Sequence, residues 1–450
     1  MSLNETPRSS RLHIGIFGRR NAGKSSLLNT FTGRRVAIVS DTAGTTTDPV
    51  YKSMEIHGLG PCVLIDTAGF DDEGPMGKLR VEGTEEALRK TDVALVVIAA
   101  NEVAALGDDE LPDALAQERE WLSRLAEKHT PTLVVLNKVD EVSSSAAPQG
   151  GDAADTLAAR VAGALALKDN AVNPAAPVAV SAATGYGMDE LMRALLRLVP
   201  EHWNARSLTG GLASDGDLVL LVMPQDIQAP QGRLILPQVQ TIRDLLDKKC
   251  LIMSVTTDRL DQALAALSRP PVLIVTDSQV FGEVYAKKPA GSRLTSFSVL
   301  MAGYKGDIAS FVEGAKALNT LGPDSRVLIA EACAHAPLPE DIGRVKIPRL
   351  LRARFGESLR IEWVRGTDFP ADLSGFDLVI HCGACMFNRA YVLDRQARAA
   401  AQKTPMTNYG VTLAWLAGIL DRIDLPLPPV RKKNEEKTAV VTIASPSSNG

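Results

Sequence analysis

Eight consecutive residues, Gly18-Arg19-Arg20-Asn21-Ala22-Gly23-Lys24-Ser25, carry the most direct chemical message of this chain. They fit the spacing Gly-x-x-x-x-Gly-Lys-Ser. In that arrangement the glycines let backbone N–H groups wrap a phosphate, the lysine meets the terminal phosphates and the serine hydroxyl meets Mg2+. Ser26 follows at the start of a helix-length segment, whose N-terminal end adds partial positive charge. Asp66-Thr67-Ala68-Gly69 offers a carboxylate for Mg2+ through water and, at Gly69, a backbone N–H able to sense a γ-phosphate. Asn137-Lys138-Val139-Asp140 ends in a carboxylate that can accept two hydrogen bonds from guanine N1 and N2. Adenine lacks that donor pair, so Asp140 selects GTP over ATP.

Ser181-Ala182 has the form of a loop that meets guanine O6 through backbone N–H. A single Gly-rich loop is often only a turn. Four such motifs in order, each at the end of an expected strand, read as a nucleotide site. The expected reaction is GTP to GDP and phosphate with Mg2+, with Ser25 and Asp66 on the metal.

A second group of reactive residues lies far downstream. Cys333-Ala334-His335 and His381-Cys382-Gly383-Ala384-Cys385 each end an expected strand, so both project from one end of a parallel sheet. They can converge on one metal centre. A [4Fe–4S] cluster on three thiolates with an exchangeable or histidine fourth position fits, as does a Cys3His zinc site. A redox pair at Cys-Gly-Ala-Cys is a third reading, without the expected helix start. Small buried cysteines are the fourth. Cys62, Cys250, His13, His57, His129 and His202 have no ligand-like neighbours and read as core or incidental.

These motifs need elements to hold them. Residues 12–17, 62–65, 93–99, 132–136 and 178–180 read as buried strands, and 76–90, 109–128 and 187–198 as helices between them. Such alternation predicts an α/β fold with a mostly parallel sheet, ligands gathering at its carboxyl ends. Residues 141–177, rich in Ala, Ser, Gly and Pro, read as an insertion with a short helix at 156–167. A Gly-rich break at 209–216 separates a second α/β pattern of strands 218–222, 251–254 and 272–275 and helices 236–248 and 260–267. That unit is marginal alone and needs a partner to pack on. The third region carries strands 327–331, 359–364 and 377–380 and a helix at 341–355. The expected domains are therefore 1–208 for nucleotide, 209–291, 292–430 for the metal, and a disordered charged, then Ser- and Pro-rich tail at 431–450.

Bulk properties narrow the function class. The 450 residues hold 45% apolar and 23% charged residues with net charge −4, as in ordinary globular proteins. Aromatics make up 4%, poor material for stacking bases, and no basic stripe follows residue 206, so a nucleic-acid partner is not expected. No apolar run reaches the ~18–20 residues of a membrane span, and the polar first ten residues read as no signal peptide. The expectation is a cytoplasmic protein without a membrane partner. Five cysteines make no disulfide framework.

The nucleotide motifs resemble those of the TrmE–Era–EngA group of GTPases. Gly44-Thr45-Thr46-Thr47-Asp48 looks like that group's switch I, and the resemblance makes Thr46 the second Mg2+ ligand. Phe70 stands where Ras-like GTPases carry a water-orienting Gln, which implies slow hydrolysis or catalysis by another group or ion. Switch II is expected from Phe70 through 71–77. Asn21 lies where potassium-stimulated members carry an Asn on the monovalent cation, so the resemblance implies K+ stimulation.

The whole combination resembles the [FeFe]-hydrogenase maturation GTPases. Residues 226–240 (Asp-Ile-Gln-Ala-Pro-Gln-Gly-Arg-Leu-Ile-Leu-Pro-Gln-Val-Gln) look like the opening of that family's middle, dimerisation domain. The resemblance implies a homodimeric scaffold with a [4Fe–4S] cluster on Cys333, Cys382 and Cys385, and His335, His381 or neither as fourth ligand. It also implies two radical-SAM maturases upstream and apo-[FeFe]-hydrogenase as recipient of a di-iron precursor. The long 141–177 segment and the tail depart from the simplest family pattern without touching a motif. Two other readings stand beside it: an RNA or ribosome-assembly GTPase, which would need a basic appendage, and a zinc-stabilised GTPase with no transfer role.

Overall fold

The run Leu-His-Ile-Gly-Ile-Phe-Gly is buried along its whole length and forms β1 (Leu12–Gly18). It lies at the centre of a six-stranded sheet, with β2 (Val50–Ile56), β3 (Gly60–Asp66), β4 (Val93–Ala99), β5 (Thr132–Asn137) and β6 (Val178–Ala179) in the order β2-β3-β1-β4-β5-β6. All pairs are parallel except β2 with β3. Near-continuous apolar runs mark strands buried on both faces, and two separate cores flank this sheet. The structure is a computed structural model that describes residues 6–32, 49–69, 74–142, 152–167, 176–199, 203, 206–224, 234–332 and 341–427, with backbone only at 74–81 and 152.

The helices depart from expectation in detail. The segment expected as one helix at 109–128 is two, Leu111–Ala114 and Ala116–Glu127, with Leu115 non-helical between them. Pro112 sits in the first turn of the earlier piece, where a missing N–H costs nothing. The insertion holds a helix at Asp152–Ala164. The strand β2 was not expected: all of its residues but the buried Ile56 are exposed or half-buried and give little core signal, and pairing with β3 defines it.

A second sheet has four parallel strands, β7 (Leu218–Val222), β8 (Leu251–Val255), β9 (Leu273–Thr276) and β10 (Arg293–Ser296), ordered β10-β9-β7-β8. β10 lies past the expected boundary at 291 and joins this sheet through its register with β9, from Arg293 opposite Leu273 to Ser296 opposite Thr276. The third sheet, also parallel, comprises β11 (Arg326–Glu331), β12 (Arg360–Arg365), β13 (Leu378–His381) and β14 (Met406–Asn408) in the order β12-β11-β13-β14.

The partner that the small second unit requires is in the same chain. Leu220, Val222, Ile274 and Leu294 of the second sheet belong to one buried cluster with Val327, Ile329, Val379 and Ile380 of the third. Asp424 adds polar fastening, accepting from Leu294 N at 3.0 Å through Oδ2 while its own N–H donates to Leu294 O. Among the described residues no helix is long and apolar enough to cross a membrane.

Candidate functional site

The nucleotide motifs meet at the carboxyl ends of β1, β3, β5 and β6, as a parallel sheet requires. Gly18 ends β1 at φ +150°, and a Cβ there would stand 2.3 Å from Val97 O. Gly23 has φ +89°, and a Cβ would meet Asn137 Nδ2 at 2.2 Å. Both glycines are therefore dictated by backbone approach as well as by conformation. Asn21 also lies in the left-handed region, at φ +64°. Lys24 opens the helix Lys24–Thr32 and is buried, its Nζ donating to Gly18 O at 2.8 Å and Arg19 O at 2.7 Å. It fixes the loop's curvature with its charge at the loop's centre. Ser26, one position further along that helix, follows Ser25.

Ser25 Oγ donates to Asp66 Oδ2 at 2.6 Å, and Asp66 Oδ1 is buried with no hydrogen-bond partner. Burial pushes the Asp66 carboxyl above its usual range, opposed by the Ser25 bond and the Lys24 charge. A buried oxygen without a partner beside a hydroxyl fits a hard divalent cation. Thr67 ties the end of β3 to β1, its Oγ1 donating to Ile16 O at 2.7 Å. Gly69 closes the described part of this turn. Thr46 with the rest of 44–48, and residues 70–73 including Phe70, lie outside the described residues.

Asn137 does more than its sequence reading assigned. Its Nδ2 donates to Ala22 O and its Oδ1 accepts from Ala182 N, both at 3.0 Å, so one buried amide joins the phosphate loop to the Ser181–Ala182 turn. The Ala182 N–H, read from the sequence as a contact to the base, is engaged by Asn137 here. Ser181 is buried and accepts from Thr184 N. Lys138, at φ +64°, turns the chain so that Asp140 is exposed on the rim. Arg19 was not singled out by its sequence position. It pairs with the buried Glu118 of the Ala116–Glu127 helix at 2.8 Å and staples that helix to the phosphate loop.

The second cysteine motif lies at the carboxyl end of β13, and Ala332, the last described residue before Cys333, lies at that of the adjacent β11. Ala330 of β11 stands opposite His381 of β13, and Cys382 N donates to Ala330 O at 2.9 Å. Cys382 Sγ accepts from Ala332 N at 3.0 Å and from Ala384 N at 3.4 Å. Burial pushes its thiol up to about 11, against those two N–H dipoles. Cys385 is half-buried, three residues along the same loop. Cys333 and His335 lie outside the described residues, and among the described residues no three His, Cys, Asp or Glu side chains converge as a metal set.

His381 is fully buried with both ring nitrogens engaged. Arg395 donates to Nε2 at 2.9 Å, so Nδ1 carries the proton that goes to Cys382 O at 2.8 Å. Burial and the adjacent Arg395 charge hold the ring neutral, its pKa lowered to about 3. Arg395 is itself buried among the rings of Phe369, Phe387 and Tyr391, 4.7–5.0 Å from their centroids. Asn408 Nδ2 reaches the same Cys382 carbonyl at 3.1 Å. Sequence gave no sign of Arg395 or Asn408, because each acquires its role only when β13, β14 and the helix Arg389–Ala401 pack together.

The strand order, the phosphate loop and the Asn137–Asp140 turn define a P-loop GTPase domain. Three family models match the chain in sequence order. They are a 50S ribosome-binding GTPase over residues 13–138, the hydrogen maturase F dimerization domain over 208–306 and the hydrogen maturase F tetramerization domain over 309–425. The chain belongs to the hydrogen maturase F family. It is 37% identical over 189 residues to the tRNA modification GTPase MnmE of Paracidovorax citrulli, covering 41% of this chain and 35% of that protein. It is 40% identical over 142 residues to GTPase Der of Wolinella succinogenes, covering 31% of this chain and 27% of that protein. It thus spans about a third of the length of these relatives. A solved structure of Aquifex aeolicus Era with GDP·AlF4− superposes at TM-score 0.33 with 19% identity, over 57% of this chain and 98% of that one.

Proposed function

We propose that this chain is a GTP-hydrolysing scaffold that holds a [4Fe–4S] cluster and passes a di-iron precursor to apo-[FeFe]-hydrogenase. The observation that carries the reading is the hydrogen bond from Ala332 N–H to Cys382 Sγ, which brings the residue just before Cys333 against the first cysteine of the Cys-Gly-Ala-Cys loop. Cys333, Cys382 and Cys385 would hold the cluster, and backbone N–H dipoles on sulfur favour the thiolate that such ligation needs. When bound, the cluster supplies an iron whose remaining position exchanges ligands. The engagement of both His381 nitrogens supports leaving that position to His335 or to an exchangeable ligand. The precursor is cargo, received from radical-SAM maturases.

In the nucleotide domain Lys24 neutralises the terminal phosphates, and Ser25, Asp66 and Thr46 would hold Mg2+. The Gly69 N–H reads the γ-phosphate, Asp140 reads guanine, and Asn21 would take K+. The oligomer is a homodimer built on the second domain, a role the dimerization model over 208–306 supports, and the tetramerization model over 309–425 supports further association through the third. GTP switches partner binding or loading rather than driving cluster chemistry.

The test is anaerobic purification with iron and zinc counted, then EPR of the reduced protein. About four irons per chain and a [4Fe–4S]+ signal support the reading. One zinc and no iron after reconstitution sinks it. Folded Lys24→Ala or Ser25→Ala protein with partner affinity unchanged by nucleotide would remove the switch, and equal turnover in K+ and Na+ would remove the monovalent site.

A further inference from the structure

The helix Arg389–Ala401 begins four residues after Cys385, with Asn388 as its N-cap. Asn388, Tyr391 and Asp394 recur every three residues and share one face. That face meets the nucleotide domain. Asn388, 4% exposed, donates through Nδ2 to Lys90 O at 2.7 Å and to Asp92 Oδ2 at 3.3 Å. Lys90 Nζ stands 5.5 Å from the centroid of the Tyr391 ring. Asp394 pairs with Lys128 and, at 3.9 Å, with Arg89.

Both nucleotide-domain contacts of Asn388 lead back to the phosphates. Lys90 ends the helix Gly74–Lys90, which begins five residues after Gly69. Asp92 Oδ2 also accepts from His13 N at 2.9 Å, on the strand that carries the phosphate loop. On the other side, Tyr391 packs edge-on against Phe387, two residues beyond Cys385, at 4.6 Å. A third tie runs from Ser9, whose Oγ donates to Cys385 O at 2.6 Å just ahead of β1.

In GTPases the segment after the Asp-x-x-Gly turn is ordered by the γ-phosphate and released on hydrolysis. A helix shifted at its start shifts at its end, and close-packed contacts switch between arrangements rather than stretch. A shift at Lys90 must therefore carry Asn388 with it or break a buried bond. We propose that Asn388 is a positioning residue through which the nucleotide state sets the conformation of the Cys385 loop. This rests on the carrier reading and gives it a route of control.

The experiment uses the full-length, cluster-free chain. Alkylation of Cys385 by N-ethylmaleimide is timed by peptide mass spectrometry with GDP and with a non-hydrolysable GTP analogue. The wild type should show rates differing about five-fold or more, the size of an ordinary coupling. Asn388→Ala should bring the two rates together while GTP turnover stays unchanged. Asp394→Ala, at the far end of the same face, should shrink the difference and guards against a misfolded Asn388 variant. Equal rates in the wild type, or a full difference retained in folded Asn388→Ala protein, overturn the proposal. Iron content separates the two claims. An iron-free protein with nucleotide-sensitive Cys385 defeats the carrier reading alone, and a four-iron protein with insensitive Cys385 defeats the coupling alone.

Discussion

The Ala332 N–H points at Cys382 Sγ across 3.0 Å, linking two strand ends that are 50 residues apart in the chain. The loops that follow β11 and β13 therefore start side by side, and the first sulfur sits in a pocket of backbone donors. Among the described residues Cys62 has no such donors: burial pushes its thiol up to about 12, and its Sγ donates to the Gly60 carbonyl at 3.4 Å.

Cys382→Ser should abolish iron binding while GTP turnover persists, because the hydroxyl is a poor soft-metal ligand and the nucleotide motifs belong to a different sheet. Iron quantification and phosphate release on one preparation check both halves. Loss of turnover together with iron would mean that the two sheets fail as one unit.

Asp140→Asn should move base preference from guanine toward xanthine nucleotides, by about 100-fold or more, since xanthine keeps the N1–H donor but carries a C2 carbonyl acceptor where guanine has its 2-amino donor, and the Asn amide can accept from the first and donate to the second. Competition binding with GDP and XDP reads this directly. An unchanged preference would remove Asp140 as the base reader.

Asn137→Ala should weaken GDP binding about ten-fold or more. It strands the Ala22 carbonyl and the Ala182 N–H, each costing about 1–3 kcal/mol when buried. Calorimetric titration measures it, and an affinity within two-fold of wild type would show that the tie does not shape the site.

Lys305 sits 2% exposed on the helix Phe297–Lys305, its Nζ donating to Ser9 O at 2.6 Å. Burial lowers its pKa to about 8, against nearby Cys385 and Asp92. A lysine depressed in the folded state makes the unfolded chain bind more protons between about pH 8 and its ordinary value near 10.5. Its destabilising effect is full below pH 8 and fades as pH rises through that window. Lys305→Met should therefore stabilise the chain at pH 7 by about 1–3 kcal/mol, and the gain should shrink above pH 8. Denaturant melts at pH 7 and pH 10 check it, and a pH-independent difference would contradict the assignment.

Much of this protein was decided locally. Gly18 and Gly23, Lys24, Asp66 and Asp140 can be read from spacing because each motif is a short turn whose backbone demands and chemistry lie within a few residues. The longer apolar strands were equally legible, since apolar runs bounded by turn residues have few other uses, whereas the short buried strands β10 and β14, with Arg, Thr, Ser and Asn among their residues, were not.

What the sequence could not decide were relations between residues that only packing brings together. β2 and β10 exist as strands through their partners β3 and β9. The second unit's stability comes from a core shared with the third. Arg395 finds His381, Asn137 joins Ala22 to Ala182, and Asn388 finds Lys90 nearly 300 positions away. Periodicity and motif spacing report on neighbours along the chain. A buried hydrogen bond between residues on different elements is set by how whole sheets and helices pack, and only the tertiary structure fixes that.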